Sequence, residues 1–251
     1  MALKKGKLIS IMSTKGGVGK TMLALELGYI YAAQNKKVLL IDLDLFGGAI
    51  ALSLKLPCDK SVYNIVDDLS NNRYKGIDEY IYSYNQNLDI IAAPKDPRQA
   101  TKISSEYLEF LIKSAIMQYD YVILDNSNSL DRISITSLDL ADQVVLVITN
   151  DLMDLKNAKS FISILKDISF ENYQVVLNNA IIVNRKYFSI FDMKHMIKNN
   201  IDFTISKNAY IKNLDGYLLD GSLDGIMSVL KKHAKKDYHN LELLSEKLGE
   251  W

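Results

Sequence analysis

The stretch Leu8-Ile9-Ser10-Ile11-Met12-Ser13-Thr14-Lys15-Gly16-Gly17-Val18-Gly19-Lys20-Thr21 decides the fold. It opens on a short apolar run and passes through three glycines. It then closes on a lysine and a hydroxyl residue ahead of a segment of helical period. Gly16, Gly17 and Gly19 let the backbone curl and turn its N–H groups inward on an anion. The helix behind them adds its own first-turn N–H groups and the positive end of its dipole. Lys20 is placed to reach the outer phosphates of a nucleotide, and Thr21 to offer a hydroxyl oxygen to Mg²⁺. Gly16, Gly17, Val18, Gly19, Lys20, Thr21 and Met22 are therefore candidate contacts for a nucleotide.

Working outward, the same alternation of short apolar runs and helical patterns continues along the chain. Residues 8–12, 37–41, 88–92, 121–124, 143–149 and 174–177 read as strands. Their Val, Ile and Leu density without polar alternation suits strands buried on both faces of a parallel sheet. Helical patterns lie between them at 20–35, 104–118, 133–140, 155–168 and 189–199. The expected fold class is α/β, a doubly wound, mostly parallel sheet flanked by helices. No Ser/Gly/Pro linker divides the chain, so residues 1–251 read as one domain. The region 57–84 is less regular. Around 199–221 a short strand at 203–205 and a helical turn are expected. One long helix at 222–248 follows, with Leu223, Ile226, Met227, Leu230, Ala234, Leu241, Leu244 and Leu248 near one stripe. It reads as packed against the domain. Its Glu242, Glu246 and Glu250 have the wrong sign for anionic lipid.

Composition excludes several classes. The 251 residues are 48% hydrophobic and 24% charged, which argues against disorder. Thirty Lys+Arg balance thirty Asp+Glu, so the chain is not a generically basic nucleic-acid binder. Cys58 stands alone, which excludes an intramolecular disulfide or a Cys-x-x-Cys pair, and it reads as a small apolar filler. His195 and His233 read as helix-surface residues. No run of 18 apolar residues spans a bilayer and no signal-peptide core precedes Lys15, so a cytoplasmic protein is expected.

Carboxylates end two of the strands. Val38-Leu39-Leu40-Ile41-Asp42-Leu43-Asp44 places Asp42 and Asp44 at a strand's carboxyl edge, beside the phosphate loop. Period-two geometry sends both to the same side, where one can orient water on Mg²⁺ and the other the attacking water. Tyr121-Val122-Ile123-Leu124-Asp125 supplies a further carboxylate for the metal's water shell. Val175-Val176-Leu177-Asn178-Asn179 ends a strand in two side-chain amides, each offering a donor beside an acceptor.

Thr14-Lys15-Gly16-Gly17-Val18-Gly19-Lys20-Thr21 resembles the deviant phosphate loop (deviant Walker A motif) of the ParA/MinD superfamily of P-loop ATPases, and the resemblance covers about residues 7–230. It implies that Lys15 is the signature lysine, which reaches the nucleotide on a facing subunit and ties ATP to homodimerisation. A same-chain phosphate contact is the competing role for Lys15. It also implies that Asp44 supports hydrolysis, that Asp42 and Asp125 support the metal, and that Asn178 reads adenine. The family usually continues after Asp125 with a Pro and often a Gly that reads the γ-phosphate; here Asn126-Ser127-Asn128-Ser129 follow. Asp42-Leu43-Asp44-Leu45-Phe46-Gly47-Gly48 and Ile90-Ile91-Ala92-Ala93-Pro94 look like the CpaE/TadZ branch, localisation ATPases of Flp/Tad pilus secretion machinery. Many of that branch carry an N-terminal receiver-like domain. This chain starts almost at its first strand, so that domain is expected to be absent.

The leading expectation is a Mg-ATP-dependent dimerising ATPase switch that positions a protein cargo or secretion component, with slow, partner- or dimer-dependent turnover. It would be recruited to a pole or membrane by a partner, since direct membrane binding is disfavoured. The alternatives are an ATP-binding scaffold with weak hydrolysis, an ATP-dependent metabolic enzyme, and a DNA-partition ATPase using a basic edge of Lys186, Lys194, Lys198, Lys207 and Lys212. Redox relatives need cysteines that Cys58 alone cannot supply.

Overall fold

The computed structural model describes residues 5–57, 59–180 and 188–250. Cys58, read as an apolar filler, and Lys186, counted toward a basic edge, lie outside the described residues. Among the described residues one sheet contains β1 (Lys7–Met12), β2 (Val38–Leu43), β3 (Tyr82–Ser83), β4 (Leu88–Ile91), β5 (Tyr121–Asn126), β6 (Gln143–Ile148), β7 (Tyr173–Asn178) and β8 (Phe203–Ile205). Their order is β3-β4-β2-β5-β1-β6-β7-β8, parallel throughout except for β3, which runs antiparallel to β4. Helix α1 (Lys20–Ala33) follows β1, and α2 (Ile50–Ser53) and α3 (Val62–Ser70) follow β2. Four further helices lie between β4 and β7: α4 (Pro97–Ala100), α5 (Ser105–Ala115), α6 (Arg132–Leu140) and α7 (Leu152–Asp167). Helix α8 (Ile190–Ile197) precedes β8, and α9 (Leu214–Leu219), α10 (Leu223–His233) and α11 (Lys235–Gly249) follow it.

The unbroken apolar runs are explained by the way the sheet is covered. Successive side chains on a strand point to opposite faces. Ile9, Leu40, Ile123, Val145 and Val176 pack with α1, α10 and α11 on one face. Their chain neighbours Leu8, Leu39 and Val122 pack with α3 and α5 on the other, and Val144 and Val175 with α7 and α8. The central strands therefore need apolar residues at most positions on both faces. The doubly wound sheet expected from the sequence is the fold observed.

Several boundaries differ. The C-terminal helix expected at 222–248 is two helices, broken at Ala234 (φ −129°, ψ 50°). The basic Lys231, Lys232 and His233 sit in the last turn of α10, and acidic Asp237 in the first turn of α11. Each suits a helix end rather than a helix interior. The apolar stripe itself is buried as expected, on α1 and the sheet. Helix α7 begins at Leu152 instead of 155 because the Asp151 carboxylate accepts from the N–H groups of Met153 and Asp154. Strand β3 and the four-residue helices α2 and α4 were not expected; none is long enough to show a period. His195 and His233 lie on exposed helix faces. Among the described residues no helix is long and apolar enough to cross a membrane.

Tyr31 joins α1 to α11. Its ring stacks on Tyr121 at 3.8 Å, and its hydroxyl donates to the Ser245 carbonyl at 2.7 Å. Tyr31→Phe should lower unfolding free energy by about 1 kcal/mol and Tyr31→Ala by about 3–5 kcal/mol. Urea denaturation would check both. Equal losses would mean that the ring packing contributes little.

Candidate functional site

The phosphate loop leaves β1 at the centre of the sheet and enters α1. Gly17 and Gly19 take positive φ, +71° and +95°, conformations that L side chains rarely adopt. Gly19 stands at the N-cap of α1 with no side chain capping the helix. The first turn thus opens into the loop, where an anion can meet it. The loop's two lysines go different ways. Lys20 is buried and its Nζ donates to Ser13 Oγ at 2.9 Å, while Ser13 donates to the Lys15 carbonyl at 2.8 Å. Burial lowers the Lys20 pKa, and Asp125, Asp44 and Asp154 oppose that shift. Lys15 is half-exposed and its Nζ lies 3.2 Å from Asp151 Oδ2.

The three aspartates converge unequally. Asp42 and Asp125 are paired directly across β2 and β5, and both are buried. Burial first, then Asp125, raises the Asp42 pKa. Burial likewise raises Asp125, while the Thr21 hydroxyl and Lys20 pull it down. Thr21 Oγ1 donates to Asp125 Oδ2 at 2.6 Å, and Asp125 Oδ1 is buried with no partner among the described residues. Asp42 accepts from the N–H groups of Asp44 (3.2 Å) and Ile50 (3.0 Å), so it organises the turn that carries Asp44. Asp44 lies just past the strand and caps Gly47 N at 3.2 Å. Among the described residues no three His, Cys, Asp or Glu side chains form a metal cage. The structure thus joins Thr21 to Asp125 and leaves Asp42 engaged with backbone.

Asn126 closes β5 over β1, donating to Ser10 Oγ (3.0 Å) and the Ile11 carbonyl (3.1 Å). Asn128, two residues on, hangs over Gly16; a Cβ built there would lie 3.8 Å from Asn128 Oδ1. Beside the loop a cavity of about 490 Å³ runs along α1 from Gly19 past Met22 to Glu26, walled by Ile205, Ile211 and Asn178. Asn178 Nδ2 donates to the Val18 carbonyl and its Oδ1 accepts from Ala180 N, both at 3.0 Å. The amide expected to read adenine therefore lines the cavity while fastening the loop to the end of β7.

Sequence reasoning missed Asp151, Asp154, Ser13 and Glu26. Asp154 is fully buried on α7; its Oδ2 accepts from Thr149 N and Oγ1, both at 2.7 Å, and its Oδ1 from Thr14 Oγ1 at 3.2 Å. Together Asp151 and Asp154 tie the loop to α7. Their loop partners lie about 140 residues away in the chain, so no local pattern pairs them. Of the lysines read as a basic edge, Lys194 and Lys198 precede β8, whereas Lys207 and Lys212 follow it. They flank opposite ends of that strand.

Comparison with known proteins places this geometry. The AAA domain family matches residues 6–183. The septum site-determining protein MinD of Thermotoga maritima is 27% identical over 244 residues, covering 94% of this chain and 86% of that protein. A ParA family ATPase from Chlorobium tepidum has the same fold, with a TM-score of 0.80, 22% identity, and 96% and 98% of the two chains covered. So does MinD from Pyrococcus horikoshii, solved with Mg-ADP: TM-score 0.76, 20% identity, 97% and 94% covered.

Removing Asp154 should loosen the loop's attachment. Asp154→Ala leaves buried donors of Thr149 and Thr14 unmet and should cost about 2–4 kcal/mol in urea denaturation. Asp151→Ala, which removes a helix cap and a half-exposed ion pair, should cost only about 1 kcal/mol. Similar costs for the two would contradict this ranking.

Proposed function

This chain belongs to the AAA domain family, among its ParA/MinD-type P-loop ATPases, and from that premise we propose that it is a Mg-ATP-dependent switch. ATP would hold two copies face to face, and slow hydrolysis would release them to position or recruit a protein partner. The observation that carries this reading is the contrast between Lys20, turned inward, and Lys15, held half-exposed at the loop's outer surface. A lysine facing outward from a phosphate site is available to a phosphate group on a second molecule. Apolar side chains support the same reading. Phe46, Leu130, Leu152 and Met153 are 64%, 47%, 55% and 55% exposed, and follow the carboxyl ends of β2, β5 and β6. Exposed apolar residues around one edge suit an interface.

Within the site, Gly16, Gly17, Val18 and Gly19 wrap the phosphates and Met22 borders the base. Lys20 turns from Ser13 to the β- and γ-phosphates. The residues present fit magnesium: Thr21 and Asp125 offer hard oxygens, and Asp125 Oδ1 is buried and unpartnered among the described residues. Bound there, magnesium would neutralise charge on the phosphate oxygens. Asp42 holds the turn that presents Asp44, and Asp44 orients the attacking water. Asn178 fixes the loop beside adenine. The segment after Asp125, where Asn128 lies over Gly16 in place of the family's usual residues, would sense the γ-phosphate. The CpaE/TadZ-like stretches from Asp42 to Gly48 and from Ile90 to Pro94 favour a pilus or secretion assembly as the cargo. Recruitment to a pole or membrane would then come through that partner.

Light-scattering mass of Asp44→Ala protein provides the test. The expected result is a dimer with Mg-ATP and a monomer with Mg-ADP, with the dimer lost in Asp44→Ala/Lys15→Ala. In otherwise unaltered protein, Lys20→Ala should lower turnover at least about 100-fold. A monomer with both nucleotides would overturn the face-to-face switch and favour an ATP-binding scaffold. A dimer with both would remove nucleotide control of assembly.

A further inference from the structure

One buried acid in the cavity beside the loop has no role in phosphate chemistry. Glu26 lies on α1 four residues beyond Met22, about 6 Å deeper along the same helix face. It is only 6% exposed, borders the cavity, and has no hydrogen-bond donor among the described residues. Its neighbours across the cavity include Ile205, Ala209, Ile211 and Leu214, whose side chains carry no polar group. The nearby acid Asp237 is already satisfied, accepting from Ser206 N (2.7 Å) and Ser206 Oγ (2.9 Å). Asn178 is likewise engaged at both amide atoms. A carboxyl held at this depth with no protein donor, on the wall of the cavity, is open to a ligand group that enters it.

Given the nucleotide reading of this site, on which this rests, we propose that Glu26 is the residue that reads the base, pairing with the edge on which an exocyclic amine sits beside a ring nitrogen. Burial, reinforced by Asp237, pushes the Glu26 carboxyl up to about 8, so at neutral pH it retains its proton. A neutral carboxyl offers a donor and an acceptor side by side. Its carbonyl oxygen accepts from the amine while its hydroxyl donates to the ring nitrogen. With the base seated against Ile205, Ile211 and Leu214, the pair would be selective: a base lacking the amine leaves the carboxyl oxygen unmet.

The test measures the affinities of Mg-ADP and of the Mg-diphosphate of purine riboside, which lacks the 6-amine, by titration calorimetry. Wild-type protein should prefer ADP by about tenfold, the worth of one buried hydrogen bond. Glu26→Ala should weaken ADP by about tenfold and bind the two ligands alike. Glu26→Gln, whose amide also presents a donor beside an acceptor, should retain the preference. Equal weakening of both ligands in Glu26→Ala, or an unchanged preference for ADP, would overturn the assignment. Wild-type protein that binds neither ligand would overturn the nucleotide reading of the site, and this inference with it.

Discussion

Two carboxyl groups face each other across β2 and β5, and much of the site's local structure follows from that pairing. Parallel register sets Asp42 directly opposite Asp125 at a buried edge. Two like groups in so little water are unfavourable unless each is met by donors. Asp42 is met by the chain that leaves it: the N–H groups of Asp44 and Ile50 turn back onto its oxygens. That turn also explains Gly48, where a Cβ would come within 2.2 Å of Ala93 and 2.8 Å of Asp42 Oδ2. Asp125 is met from the other side by Thr21, the second residue of α1. One oxygen is left over, beside a lysine that has settled on Ser13. The protein holds its phosphate loop, its turn after β2 and the end of β5 together around a charge arrangement that a cation and an anion would complete.

The loop's other attachment works on different physics. Thr14 and Lys15 reach α7 through Asp154 and Asp151, one buried and one half-exposed. The buried Asp154 carboxylate, held by Thr149, fixes the loop's outer arm to α7 through the part-buried Thr14 hydroxyl. The exposed ion pair is weak, screened by solvent and readily exchanged for another partner. A rigid anchor next to an exchangeable one keeps the loop's shape while leaving the Lys15 ammonium available.

Most of the fold was legible because it depends on short-range pattern. Strands covered on both faces must be apolar throughout, and six such runs were read close to their observed limits. The phosphate loop was legible because glycine spacing reports backbone conformation directly, as Gly17 and Gly19 bear out. Asp42, Asp44 and Asp125 could be placed at strand ends, but not their hydrogen bonds. Which oxygen meets a backbone N–H and which is left unmet depends on how separate chain segments pack. The same limit hid Asp154 and Glu26. In the sequence one is a helix-start acid and the other an acid within a helical pattern. Only the packing of α7 on the loop, and of the segment after β8 against α1, distinguishes them from solvated residues. The break at Ala234 was hidden for a related reason, since the apolar stripe continues through it.

Helix α1 links these layers. Its first residues face the loop and Asp125, its middle lines the cavity with Met22 and Glu26, and Tyr31 near its far end receives α11. Helix α11 in turn carries Asp237, which holds Ser206 at the start of the segment that walls the cavity. The cavity wall is therefore braced from the C-terminal helix rather than from the sheet alone. The deep end of the cavity and the seating of the C-terminal helix thus rest on contacts that both run through α11, at Asp237 and at Ser245.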